Sequence, residues 1–146
     1  MPSPFVVLMV EDDHATLSLL AAVARREGFD VLLASDGAEA LAILQHQPVD
    51  AIVLDLLLPE ISGFDILRYF VQKAPPYLKR TIVITAAAEQ IYQDCEELRL
   101  VRRCFRKPLD LVDLTSALHA CRAAKAREEG EGLPPVMATS LMKHAN

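Results

Sequence analysis

Four short apolar runs each end in a reactive side chain. Phe5-Val6-Val7-Leu8-Met9-Val10 ends in the acid pair Glu11-Asp12, and Ala51-Ile52-Val53-Leu54 ends in Asp55. Thr81-Ile82-Val83-Ile84 ends in Thr85, and the shorter Arg103-Cys104-Phe105 is followed by Lys107. Two carboxylates about 4 Å apart repel by roughly 4 kcal/mol at an effective dielectric of about 20. Acids gathered in one place therefore take up protons or bind a cation. Hard oxygen ligands with few fixed protein contacts suit Mg²⁺, which keeps several waters and pairs readily with phosphate. With a hydroxyl and a lysine beside them, the acids would form a site for an Mg²⁺-held phosphoryl group on Asp55, since a carboxylate can act as the nucleophile.

That chemistry requires elements that bring distant residues to one place. Runs that are apolar on both faces belong in a parallel sheet covered on each side by helices. Strands are expected over Phe5 to Val10, Asp30 to Ala34, Ala51 to Asp55, Thr81 to Thr85 and Arg103 to Phe105. Between them fall helical patterns. Leu17, Leu20, Ala21 and Ala24 mark a first helix from about His14 to Glu27, ended by Gly28. Ala40, Leu41 and Leu44 mark a second that ends before Pro48, and Phe64, Leu67, Phe70 and Val71 mark a third that Pro75-Pro76 stop. Ile91, Cys95 and Leu98 suggest a fourth within Ala88 to Leu100. Leu111, Leu114, Leu118 and Cys121 line a fifth from Asp110 to about Ala126. Gly63 would permit a tight turn after strand 3. Five alternations of strand and helix predict a doubly wound α/β domain over residues 1–126, with ligands at the carboxyl edge of the sheet. The Gly/Pro/Glu-rich composition from Arg127 onward makes residues 127–146 a linker or C-terminal tail.

Composition narrows the field. The chain has 146 residues, of which 52% are hydrophobic, enough for one cored domain. No apolar run is long enough to cross a bilayer, and Met1-Pro2-Ser3-Pro4 lacks the charge of a secretory signal. The net charge of −5 argues against nonspecific nucleic-acid binding. Three cysteines without CxxC spacing read as free thiols of a cytoplasmic protein. Asp13 reads as a helix cap, and His14, His46 and His119 as exposed side chains. The basic run Arg99, Arg102, Arg103, Arg106, Lys107 reads as a solvated face, with docking of an acidic partner as the alternative. Val136, Met137, Leu141 and Met142 offer a docking peptide or belong to a mobile tail.

The motifs Val10-Glu11-Asp12-Asp13, Val53-Leu54-Asp55 with Pro59 and Gly63, Ile84-Thr85-Ala86 and Lys107-Pro108 together resemble a response-regulator receiver domain, over roughly Phe5 to Ala126. The resemblance implies a flavodoxin-like sheet of order 2-1-3-4-5 with helices on both faces. It implies that Asp55 accepts a phosphoryl group from a sensor histidine kinase or phosphotransfer protein. It also implies Mg²⁺ held by Glu11, Asp12, Asp55 and the backbone carbonyl of Leu57, with Thr85 and Lys107 as switch residues and the Lys107–Pro108 bond often cis. Signalling would pass by protein contact through the face of helix 4, strand 5 and helix 5, in a monomer or homodimer. One departure stands out: Cys104 occupies the position where the family usually has a Tyr or Phe, and the turn before strand 5 is Leu100-Val101-Arg102-Arg103. Phe105 points to the opposite face of its strand and cannot substitute. An altered switch is therefore expected. Leu57 and Ala87, near the path of a hydrolytic water in this family, cannot orient water, so slow self-dephosphorylation is expected.

Other classes fit less well. A haloacid-dehalogenase phosphatase needs a second acid two residues after the nucleophile, and that residue is Leu57. A flavodoxin-like flavin binder needs a phosphate loop where this chain has acids. A receiver belonging to a longer regulator or hybrid kinase, and a pseudo-receiver scaffold, remain as alternatives.

Overall fold

A computed structural model describes residues 4–128 of the chain; the expected linker or tail, with its docking-peptide residues, lies outside the described residues beyond Glu128. Five strands, β1 Val6–Val10, β2 Asp30–Ala34, β3 Ala51–Asp55, β4 Thr81–Thr85 and β5 Arg103–Arg106, form one parallel sheet in the order β2-β1-β3-β4-β5. The helices are α1 His14–Arg26, α2 Gly37–His46, α3 Gly63–Lys73, α4 Glu89–Gln93 and α5 Leu111–Arg127. The central strand β3 and its neighbour β4 are buried along their whole length, as runs apolar on both faces must be. Strand order reverses between β1 and β3, which opens a crevice at their carboxyl ends.

Two cores flank the sheet. On one face Leu17, Leu20, Ala21 and Ala24 of α1 meet Leu114, Leu118 and Cys121 of α5 over Val7, Met9, Val53 and Ile84. On the other, Leu44 of α2 and Ile66, Leu67 and Phe70 of α3 pack on Leu8, Ile52, Leu54 and Val83. Alternation along β5 sends Cys104 to the second core and Phe105 to the first, as expected of neighbouring strand residues.

Polar side chains fix the helix starts. Asp13, Asp36 and Asp110 cap α1, α2 and α5, and Ser62 and Asp65 form a reciprocal capping box on α3. Gly63 has a different reason from the expected turn. A Cβ there would stand 2.3 Å from the Asp55 carbonyl oxygen, so only glycine lets α3 start directly against the end of β3. Its N–H donates to the Leu56 carbonyl at 3.0 Å.

Two helical patterns are corrected. In α3 the buried stripe is Gly63, Ile66, Leu67 and Phe70, whose 3–4 spacing turns Val71 outward to 40% exposure. The fourth helix is shorter than its apolar spacing implies. It covers five residues, and a separate 3₁₀ turn follows over Glu96–Arg99. Cys95 is buried but extended, which breaks the helix, and Ile91 is half exposed. A segment with so few apolar contacts does not recover the cost of a long helix.

The amino edge of the sheet carries buried charge that the sequence reading passed over. Asp50 accepts a hydrogen bond from the Val6 N–H at 2.8 Å and pairs with Lys125 at 2.8 Å, tying β1 and α5 to the start of β3. Arg80, also buried, donates to the Cys121 carbonyl and pairs with Glu128 at 2.5 Å. Replacing Asp50 by alanine would strand both the Val6 amide and the Lys125 ammonium. We expect a loss of about 2 kcal/mol, read as a lower urea midpoint at unchanged slope; an unchanged midpoint would show that solvent satisfies both groups.

Candidate functional site

The site lies at the carboxyl edge, where β1, β3, β4 and β5 end. Val10 pairs with Leu54 across β1 and β3, so Glu11 and Asp55, the next residues on each strand, emerge side by side. Carboxylate oxygens of Glu11, Asp12 and Asp55 lie within 4.8 Å of one another. Glu11 and Asp55 are buried and Asp12 is exposed. A positive charge enters from β5: Lys107 Nζ lies 2.5 Å from Glu11 Oε1 and 3.2 Å from Asp55 Oδ2. The Lys107–Pro108 peptide bond is cis.

The remaining oxygens differ in their partners. Asp55 Oδ1 accepts the Leu57 N–H at 3.0 Å. Glu11 Oε2 is buried with no hydrogen-bond partner. Burial, with Asp55 next to it, lifts the Glu11 carboxyl to about 7, and Lys107 only partly opposes this. Desolvation alone would lower the Lys107 pKa, but its bond to Glu11 and the charge of Asp55 outweigh that and raise it. The pocket thus has more negative charge than one lysine neutralises. Three carboxylates with one orphaned oxygen fit a hard divalent cation such as Mg²⁺.

Thr85 ends β4, one position past Ile84, the residue paired with Asp55. It is fully buried, and its Oγ1 accepts the Ala87 N–H at 3.0 Å. Leu57 is 47% exposed, while Ala87 is buried. All five reactive positions therefore reach one rim of the sheet. Sequence reasoning missed the direct Lys107–Glu11 bond and the Ala87 amide that holds the Thr85 hydroxyl. The first joins residues 96 positions apart, and the second is a backbone contact that no side-chain pattern reports.

Comparison with known proteins decides the family. The response regulator receiver domain family matches residues 7–119. The chain belongs to that family. The receiver domain is 31% identical over 154 residues to the alginate biosynthesis transcriptional regulatory protein AlgB of Pseudomonas aeruginosa, a match covering 92% of this chain and 33% of that protein. It is 42% identical over 66 residues to the transcriptional regulatory protein TrcR of Mycobacterium tuberculosis, covering 45% of this chain and 26% of that one. The receiver domain thus spans about a quarter to a third of the length of these curated relatives. A CheY-like receiver from Methanospirillum hungatei has the same fold, with a TM-score of 0.77 at 22% identity over 86% of this chain and 99% of the other. The response regulator TrrA of Thermotoga maritima, solved in complex with Mg²⁺ and BeF, aligns with a TM-score of 0.69 at 22% identity, over 80% and 98% of the two chains. No helix among the described residues of the receiver domain is long and apolar enough to cross a membrane.

Proposed function

We propose that this receiver domain is a phosphorylation switch in which Asp55 accepts a phosphoryl group from a histidine kinase or phosphotransfer protein. The observation that carries the reading is the bond of Lys107 to both Glu11 and Asp55 in a carboxylate cluster with one orphaned oxygen. Glu11, Asp12 and Asp55, with the Leu57 carbonyl, would hold Mg²⁺. When bound, the ion supplies positive charge that offsets the repulsion between the carboxylates and an incoming phosphate.

The chain's own residues do the rest. The Leu57 amide and Lys107 fix the Asp55 carboxylate from either side. An Asp55 oxygen forms the new bond to phosphorus while the bond from phosphorus to the donor atom breaks. Lys107, already facing the pocket, pairs with a phosphoryl oxygen. The Thr85 hydroxyl, whose oxygen accepts the Ala87 N–H, donates its proton to another phosphoryl oxygen, and that new bond biases a two-state equilibrium of the loop after β4. An apolar recess lined by Leu19, Leu20, Leu109 and Leu111 opens beside Lys107 and Pro108, and would seat an apolar part of the phosphodonor. Cys104, small, paired with Val83 across β4 and β5 and packed against the core on that face, stands where the family usually has a large ring that moves with the switch threonine, so the response of the face of α4, β5 and α5 is altered.

The reading is tested by incubating the chain with a small phosphodonor, with and without Mg²⁺, and mapping the modified residue by peptide mass. A Mg²⁺-dependent acyl phosphate on Asp55 supports it; modification elsewhere contradicts it. The same sample gives a lifetime. Neither Leu57 nor Ala87 can align a water, so the phosphoryl group should persist for minutes or longer after donor removal. A half-life of seconds would contradict that.

A further inference from the structure

The outer edge of the sheet at β5 is basic in a protein whose net charge is −5. Lys79, Arg99, Arg103 and Arg106 are exposed, and among the described residues none of them has a carboxylate within ion-pair distance. Arg102 Nε donates to the Lys79 carbonyl at 2.7 Å, which gathers Lys79 to the start of β5. Two acids that could neutralise the strip are engaged elsewhere: Glu97 pairs with Arg68, and Glu128 with Arg80.

The same edge offers backbone groups. β5 is the last strand on its side of the sheet, and among the described residues it pairs with β4 alone. The Arg102 N–H donates to the Thr81 carbonyl, so alternation turns the N–H groups of Arg103 and Phe105 to the outer edge. Side chains alternate too. The Arg103 guanidinium lies 4.8 Å from the centre of the Phe105 ring, on the face that α5 covers, and Arg106 falls with Cys104 on the other face. Cations therefore flank the edge on both faces.

We propose that this edge docks an extended acidic segment of a partner protein, which adds a strand to β5 and sets its carboxylates against Arg103 and Arg106. Because cations flank both faces, the segment that fits has acids at successive positions rather than at alternate ones. Two observations select a peptide over the other common polyanion, a nucleic acid. Outward N–H groups on an edge strand pair with a peptide backbone, which a nucleic acid lacks. The strip is also short. β5 has four residues, spanning about 13 Å, and a chain of net charge −5 repels a polyanion that runs past it. The inference goes beyond phosphoryl acceptance and is read on the unmodified chain, so it stands or falls without donor or Mg²⁺.

The test titrates the full chain with a glutamate oligomer blocked at both ends, following backbone amide resonances and hydrogen exchange. We expect shifts concentrated at residues 99–106, new exchange protection at the Arg103 and Phe105 amides, and weaker binding at high salt. Arg103→Glu/Arg106→Glu should weaken binding by at least about tenfold, the loss of two exposed ion pairs. Lys79→Glu, outside β5, should weaken it by about threefold, which keeps the test open should the double variant misfold. A lysine oligomer should leave residues 99–106 unmoved. Unchanged resonances at 99–106, shifts spread over the whole surface, or shifts without protection of those two amides would each overturn the proposal. So would a single-stranded oligothymidylate that binds there more tightly than the glutamate oligomer, which would assign the strip to nucleic acid.

Discussion

Alanine at position 63 is expected to cost the fold about 3 kcal/mol, the upper end of what overpacking usually costs. The added Cβ would meet the Asp55 carbonyl oxygen at 2.3 Å and the Leu56 Cα at 2.6 Å. Both are backbone atoms of a buried strand end, and no rotamer change can move them aside. Either α3 withdraws or the end of β3 shifts. Both routes disturb the Gly63 N–H bond to the Leu56 carbonyl and the turn in which the Leu57 amide holds Asp55. The variant should therefore lose phosphoryl acceptance as well as urea resistance. A Gly63→Ala protein with the wild-type midpoint would show that the start of α3 yields freely.

Lys107→Ala should move two properties in opposite directions. The ammonium competes with any cation for Glu11 Oε1 and Asp55 Oδ2. At an effective dielectric of about 20, a like charge about 4 Å from a bound ion opposes it by several kcal/mol, and water and relaxation screen most of that. Mg²⁺ binding should tighten by at least about tenfold, which corresponds to about 1.4 kcal/mol. Phosphoryl acceptance and the switch should fall, because the group that pairs with the phosphoryl oxygen is gone. The chain has no tryptophan, so calorimetry rather than indole fluorescence is the suitable readout. Weaker Mg²⁺ binding in the variant would mean that Lys107 holds the carboxylates in place instead of competing for them.

Much of this architecture is legible in the sequence for a physical reason. A strand buried on both faces must be apolar throughout, so β3 and β4 declare themselves, and so do the reactive residues that end them. The sheet order came with the family resemblance; periodicity alone does not determine which strands are neighbours. Where the reading fell short, the deciding contact was tertiary. Ile66 rather than Val71 faces the core because α3 begins at Gly63, a start set by the approach of its backbone to β3. The helical spacing of Ile91, Cys95 and Leu98 did not yield one helix, because Cys95 is drawn into the interior in an extended conformation. Asp50 and Arg80 carry no signal in the sequence pattern, and only the fold brings Lys125 and Glu128 to them.

The central claim is that Asp55 is a Mg²⁺-dependent acceptor of phosphate. The most direct measurement is intact mass after incubation with a small phosphodonor, for the wild-type chain and for Asp55→Asn, each with Mg²⁺ and with a chelator. The account predicts the addition of one phosphoryl group to the wild type with Mg²⁺ and none in the other three samples. A wild-type chain that stays unmodified with donor and Mg²⁺, or an Asp55→Asn chain that gains the same mass, would contradict it.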